Sequence, residues 1–258
     1  MTVRHALVTG AGSGIGKAVA LALAAKGHRV SLAGRRAAPL EAVGDEVSAA
    51  GGEAFVVAGF DVTDQASVEA GIAEAVGRLG DIAVLVNCAG EAPSAPFEKT
   101  GLETWNRVIG INLTGTYLVT QAALPSLKRA GKGRIVNVAS TAGLTGYAYV
   151  TAYCASKHGV VGLTRALALE LARTDVTVNA VCPGFTDTPL LDGAVETITG
   201  KTGRSAEDAR ATLARSNPQG RLVTPQQVAH TVLWLASQEA TSITGQAIPV
   251  AGGEIMVG

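Results

Sequence analysis

The feature that most constrains this chain is a short strand-like stretch, His5–Thr9, that passes directly into Gly10-Ala11-Gly12-Ser13-Gly14-Ile15-Gly16 and then into a helical pattern reaching Ala25. The spacing is G-x-x-x-G-x-G. Glycines at these places permit a tight turn and let a phosphate approach the backbone, while the N-terminus of the following helix offers N–H donors and a favourable dipole. A strand before and a helix after are what distinguish this arrangement from a chance glycine cluster, and they point to a dinucleotide site. Gly10, Ser13, Gly14, Ile15 and Gly16 are the candidate cradle. The plainer alternative is a tight strand–helix turn that holds nothing.

The pattern repeats along the chain. Strand-like runs at 29–33, 54–58, 82–86, 134–139, 176–181 and 246–250 alternate with helical periodicity at about 39–50, 64–77, 103–130, 149–173 and 224–237. Such alternation argues for a parallel, doubly wound sheet with helices on both faces. Residues 187–222 break the rhythm. They are polar and lack a strand, with short helices expected at 196–200 and 206–214. Their place after a strand end suits a mobile flap over a pocket, and a passive surface insertion fits the same composition. With no linker, repeat or low-complexity stretch, residues 1–258 read as one domain.

Composition narrows the class. Hydrophobic residues make up 47% and charged residues 16%, which excludes a disordered chain. Lys+Arg and Asp+Glu both number 21, so no net field draws the protein to nucleic acid or an acidic membrane. Cys88, Cys154 and Cys182 make no metal-ligand spacing and suggest reduced thiols. The start of the sequence shows no signal-peptide pattern, and no apolar run approaches ~20 residues, so the expectation is a soluble cytoplasmic protein without bound metal.

The second strand ends at Gly34-Arg35-Arg36. Dinucleotide folds commonly place an acid there, against the adenosine ribose. Here glycine and two arginines suit a 2′-phosphate, hence NADP(H) in preference to NAD(H), although a solvated basic loop would read the same way. Further on, Tyr153 and Lys157 stand four apart on a helical stretch and share one face. An ammonium beside a phenol favours phenolate and lowers the tyrosine pKa from its ordinary value near ~10. Such a pair can exchange a proton near neutral pH. Alone, Y-x-x-x-K is equally a solvated helix face.

Taken in order, Gly10-x-x-x-Gly14-x-Gly16, Asn87-Cys88-Ala89-Gly90, Asn112, Ser140, Tyr153-x-x-x-Lys157 and Pro183-Gly184 resemble the short-chain dehydrogenase/reductase family over essentially the whole chain. The resemblance implies a Rossmann-like sheet of about seven strands and reversible hydride transfer between a nicotinamide and a carbonyl or alcohol. It further implies that Tyr153 exchanges the proton, Lys157 lowers its pKa and holds the nicotinamide ribose, Ser140 polarises the substrate oxygen, and Asn112 supports a water relay. Asp61 and Val62 would contact adenine, Asn87, Ala89 and Gly90 would line the cleft, and Thr186 and Thr188 would lie near carboxamide and pyrophosphate. Cys88 stands where the family usually has a second asparagine that braces the sheet. Cys154 and Cys182 read as small core fillers.

Within the family, residues 155–164 and 177–185 resemble ketoreductases of aromatic polyketide synthesis and fatty-acyl reductases. Reductases that act on carrier proteins usually carry a basic residue just before the turn preceding the sixth strand; here Thr174-Asp175 occupies it. The expected substrate is a 3-oxoacyl thioester or a similar ketone. An alcohol or hydroxyacyl-CoA dehydrogenase running oxidatively and a dinucleotide sensor without turnover are the alternatives, the intact Asn112, Ser140, Tyr153 and Lys157 arguing against the sensor. The resemblance also implies a homotetramer, with Ala122-Ala123, Ala166–Ala172 and the final strand as candidate contact surfaces.

Overall fold

The computed structural model describes residues 3–256. Seven strands form one parallel sheet: β1 (His5–Thr9), β2 (Arg29–Gly34), β3 (Ala54–Ala58), β4 (Ile82–Asn87), β5 (Arg134–Val138), β6 (Thr177–Pro183) and β7 (Ala247–Val250), in the order β3-β2-β1-β4-β5-β6-β7. The pattern at 82–86 explains the centre of the sheet. Ile82, Val84, Leu85 and Val86 are fully buried, as a strand covered on both faces requires. Alternate residues serve opposite layers. Ala6 and Val8 of β1 pack with Val84 and Val86 beneath one group of helices, whereas Leu7, Ile82 and Leu85 face the other.

Among the described residues nine α-helices flank the sheet. One layer holds α1 (Gly14–Ala25) and α2 (Ala37–Ala49), joined by α9 (Pro225–Ala236). The other holds α3 (Gln65–Leu79), α5 (Gly115–Arg129) and α6 (Thr151–Glu170). Sequence punctuation sets their ends. Asp64 caps α3 by accepting from the Ala66 N–H, and Gly80 stops it at φ 79°. Thr224 and Gln227 form a reciprocal capping box on α9.

Three boundaries differ from the sequence reading. The helix expected over 103–130 is α4 (Leu102–Ile109), a π-turn at Gly110–Thr114, and α5. A π-turn adds one residue to a single turn and keeps the chain helical on both sides, so residue propensity alone does not reveal it. Helix α6 starts at Thr151, since Tyr149 sits at φ 68°, outside the helical region. In the 187–222 segment, α7 (Pro189–Thr202) is far longer than the expected 196–200 helix, while α8 (Ala206–Ala214) matches. This segment holds its own small apolar cluster: Leu191, Val195 and Ala209 are buried, with Phe185, Ile198 and Leu213 packed against them. The segment, though polar overall, is thus anchored by apolar contacts of its own.

The chain winds from β1 out to β3, returns, and resumes at β4 on the other side of β1. This reversal leaves a crevice beyond the carboxyl ends of β1 and β4, the place where open α/β sheets bind ligands.

Candidate active site

A cleft of about 510 Å³ opens at that crevice and runs along the carboxyl ends of β1, β4, β5 and β6. At its floor lies the glycine turn. Gly10 and Gly14 take φ of 66° and 53°, which side chains rarely adopt. A Cβ on Gly16 would stand 2.2 Å from the Gly10 carbonyl oxygen, so only glycine lets the helix start against the strand. Ser13 is the N-cap of α1 but its side chain makes no capping bond, and the same holds for Thr188 at α7. The two helix N-termini meet across the cleft: a Cβ on Gly14 would lie 3.2 Å from Thr188 Cγ2. Uncapped first-turn N–H groups converging on one spot fit a pyrophosphate.

Thr9 holds the switch point together. Its hydroxyl accepts from the backbone N–H groups of Cys88 (3.0 Å) and Ala89 (3.1 Å), tying the end of β1 to the end of β4. Sequence reasoning missed it, since a threonine ending a strand carries no distinguishing pattern. It also misplaced Asn87. That side chain turns away from the cleft and donates to Thr120 Oγ1 (2.9 Å) and Asn137 Oδ1 (2.8 Å). Asn87 thus supplies the sheet brace whose absence at Cys88 was in question. Asn87 is the last residue of β4 and faces the buried side, whereas Cys88, Ala89 and Gly90 belong to the loop that follows and line the cleft.

A second hollow of about 190 Å³ adjoins the glycine turn and is lined by Gly34, Arg35, Arg36, Asp61 and Val62 among others. Both arginines are exposed at its rim. A Cβ on Gly34 would meet only the Leu40 side chain, at 3.6 Å, so the glycine leaves space without being sterically required. The Asp61 carboxyl is held below its ordinary range by the Thr63 backbone N–H and hydroxyl, with attraction from Arg35 as a smaller cause.

Ser140, Tyr153 and Lys157 come together at the other end. Ser140 follows β5 and caps a 3-10 turn, accepting from the Ala142 N–H (3.1 Å). Lys157 is buried, its Nζ donating to the Val138 carbonyl (2.8 Å) and lying 5.6 Å from the centre of the Tyr153 ring. Burial pushes the Lys157 ammonium down from its ordinary 10.5 to about 8. Burial likewise pushes the Tyr153 phenol up to about 12, the Ser140 hydroxyl opposing the rise. This direction is opposite to the expected lowering, because desolvation disfavours the charged phenolate.

Asn112 sits at the π-turn, fully buried. Its Oδ1 accepts from the Glu91 N–H, and its Nδ2 donates to the Glu91 carbonyl, both at 2.9 Å. Nδ2 also donates to Ser156 Oγ (3.1 Å). The asparagine side chain clamps the loop after β4. A Cβ on Gly90 would approach Asn112 Oδ1 to 3.1 Å and Lys157 Nζ to 3.7 Å. The cradle thus takes a flat group close to the backbone, and a buried ammonium held by one carbonyl suits the added oxygen acceptors of a ribose. These residues fit a nicotinamide dinucleotide.

Pro183 and Gly184 end β6 along the cleft, and Thr186 is buried beside it, donating to the Gly184 carbonyl (2.9 Å). Of the cysteines, Cys182 is fully buried as expected. Cys154 is half-buried and instead accepts from the Tyr147 N–H (3.4 Å).

The short chain dehydrogenase family matches residues 4–199. The chain belongs to this family. It is an oxidoreductase that acts on CH–OH groups with a nicotinamide dinucleotide. It is 43% identical over 252 residues to a ketoacyl reductase assigned to the granaticin polyketide synthase of Streptomyces violaceoruber, covering 96% of this chain and 92% of that one. It is 40% identical over 252 residues to a D-beta-hydroxybutyrate dehydrogenase of Cupriavidus necator, covering 97% of both. Among solved structures, a variant of actinorhodin polyketide ketoreductase with NADPH superposes with a TM-score of 0.94 at 41% identity, covering 98% of this chain and 97% of that one. Among the described residues, no helix is long and apolar enough to cross a membrane.

Proposed function

We propose that this short-chain dehydrogenase is an NADP(H)-dependent reductase that converts a ketone, as a 3-oxoacyl thioester or an uncharged relative of one, to the secondary alcohol. One dinucleotide-binding domain over residues 1–258 carries the whole reaction. The observation that carries the reading is the placement of Tyr153 beside Ser140 and the buried Lys157 in a cleft that continues from the glycine turn.

NADPH supplies the hydride when bound. Gly10, Ser13, Gly14, Ile15 and Gly16 cradle its pyrophosphate with Thr188 opposite. Arg35, with Arg36 beside it, meets the 2′-phosphate, Asp61 and Val62 the adenine, and Ala89, Gly90, Pro183, Gly184 and Thr186 the nicotinamide half. Lys157 holds the ribose hydroxyls. Ser140 donates to the ketone oxygen and aligns it. Tyr153 gives its proton to that oxygen as the alkoxide forms, and Lys157 stabilises the phenolate left behind. Asn112, through the loop it clamps, keeps Lys157 and Gly90 in register.

The charged residues lining the main cleft are Lys157 and Glu91. Among the described residues no cation of the cleft lining is left to pair a substrate carboxylate, so the part of the substrate that enters is uncharged. This separates the proposal from oxidation of a free hydroxy acid. The test is a panel of acetoacetyl-CoA, 1-tetralone and acetoacetate with NADPH and NADH, followed by cofactor absorbance. Turnover of a thioester or tetralone with NADPH is expected; preference for acetoacetate, or for NADH, would refute the reading.

A further inference from the structure

Behind the substrate end of the cleft lies a polar chain that the proposed chemistry does not use. The Tyr147 hydroxyl donates to Glu254 Oε1 (2.6 Å) and lies 2.9 Å from Thr141 Oγ1. Thr141 directly follows Ser140. The Tyr147 ring meets Phe185 edge-on, with ring centres 6.0 Å apart and planes at 84°. Both rings line the cleft. Phe185 is rooted in the apolar cluster of the 187–222 segment. Tyr147 therefore joins the turn that carries Ser140 to the flap, and Glu254 fixes where Tyr147 stands.

Glu254 is itself tightly placed. It belongs to the segment after β7, where Gly252, at φ 60°, lies so close to Asn217 that a Cβ would stand 1.9 Å from Asn217 Oδ1. Asn217 is buried and bonds to the Arg221 carbonyl (2.8 Å) and the Gln219 N–H (2.8 Å), closing the far end of the flap. A Cβ on Gly184 would come within 2.9 Å of Glu254 Oε2, which is buried without a hydrogen-bond partner among the described residues. A carboxylate left with an unpaired buried oxygen is unfavourable unless its position does something. Residues 251–254 are wedged between the flap end and the Ser140 turn.

We propose that Glu254 is a positioning residue for substrate selection. By holding the Tyr147 hydroxyl, it sets the Tyr147–Phe185 pair as a rigid aromatic wall against which a ring-bearing ketone is oriented towards Ser140 and Tyr153. The proposal rests on the ketone-reductase reading of the cleft. On that reading a small ketone would not need this wall, and neither Tyr147 nor Phe185 is among the residues that would hold the cofactor.

The experiment compares Glu254→Ala, Glu254→Gln and Tyr147→Phe with the wild type in the full chain, using cyclohexanone and 1-tetralone as probes and NADPH binding by fluorescence. Loss of a charge-assisted hydrogen bond should raise the KM for 1-tetralone about tenfold in Glu254→Ala and Tyr147→Phe and shift the enantiomer ratio of the alcohol. The KM for cyclohexanone and the NADPH Kd should stay within about twofold, and glutamine, which still accepts from the phenol, should restore most of the tetralone KM. Equal losses on both ketones, or no change in KM ratio and enantiomer ratio, would overturn the proposal. If the wild type binds NADPH but reduces neither ketone, the functional reading fails instead. Hydrogen exchange then decides the positioning role. Faster exchange at 141–150 and 185–198 in Glu254→Ala and Tyr147→Phe, but not in Glu254→Gln, supports it, and exchange equal to the wild type in all three rejects it.

Discussion

Replacing Lys157 by methionine should make the ligand-free protein more stable while abolishing its function. The buried ammonium is displaced from its ordinary 10.5 to about 8, so the folded state holds the charge less readily than the unfolded chain. At about 1.4 kcal/mol per unit of pKa, this amounts to about 3 kcal/mol lost from stability at neutral pH. Methionine matches lysine in length, buries well and carries no charge. It does forfeit the charge-assisted bond to the Val138 carbonyl, at about 2 kcal/mol, for a net gain of about 1 kcal/mol. For a chain of this size that is about 2–4 °C in Tm.

The sign is checkable through pH. A lysine whose folded pKa is depressed destabilises fully below about pH 8, and the penalty fades as pH rises from about 8 towards 10.5, where the unfolded chain loses its proton too. The advantage of Lys157→Met should therefore shrink across that window. Saturating NADPH should reverse the order, since binding at a hundred times Kd adds about 2.7 kcal/mol to the wild type and little to the variant. Thermal melts from pH 7 to 10 with and without NADPH provide the assay. A variant less stable than the wild type at pH 7, or a difference that does not change with pH, would refute the reasoning.

Other outcomes follow from the same geometry. Gly34→Asp with Arg35→Ala should reverse cofactor preference in kcat/KM, because a new carboxylate would repel the 2′-phosphate and a charge-assisted pair on the order of 3 kcal/mol would be gone; the space beside Leu40 accepts the side chain, and an unchanged NADPH preference would show that Arg35 is only a solvated residue. Residues 187–222 should exchange amide hydrogens faster without cofactor and substrate than with both, since their apolar cluster is small and separate from the sheet core; identical exchange in the two states would contradict a closing flap. The chain should assemble as a tetramer through exposed Leu102, Tyr117 and Leu169, which stand 72%, 45% and 80% exposed on α4, α5 and α6; light scattering that shows a monomer at micromolar concentration would refute this.

The helical surfaces that composition suggested for assembly illustrate what a sequence conceals. Ala123, Ala168 and Leu171 are spent on the subunit's own core, and only the fold reveals that Tyr117 and Leu169 point outward. Legibility followed the range of the physics. The strands and the glycine turn are local, and the sequence reading matched them within a residue or two. Helical spacing pairs Tyr153 with Lys157, whereas Ser140 entered through the family resemblance and not through spacing. What depended on distant partners was not legible. The direction of the Tyr153 pKa turned on how much of the molecule covers the phenol. Asn87 was mistaken for a cleft residue because its neighbours Cys88, Ala89 and Gly90 are, and the facing of one strand position flips with register. Glu254 lies 107 residues from the tyrosine it holds, and no spacing rule connects them.

The central claim is that Tyr153 supplies the proton for NADPH-dependent ketone reduction. The most direct measurement is single-turnover oxidation of bound NADPH by 1-tetralone or acetoacetyl-CoA in the wild type and in Tyr153→Phe, with the NADPH Kd determined for both. Removing only the transferable proton should leave Kd within about twofold and slow turnover at least about a hundredfold. A phenylalanine variant that turns over at near the wild-type rate would contradict the account.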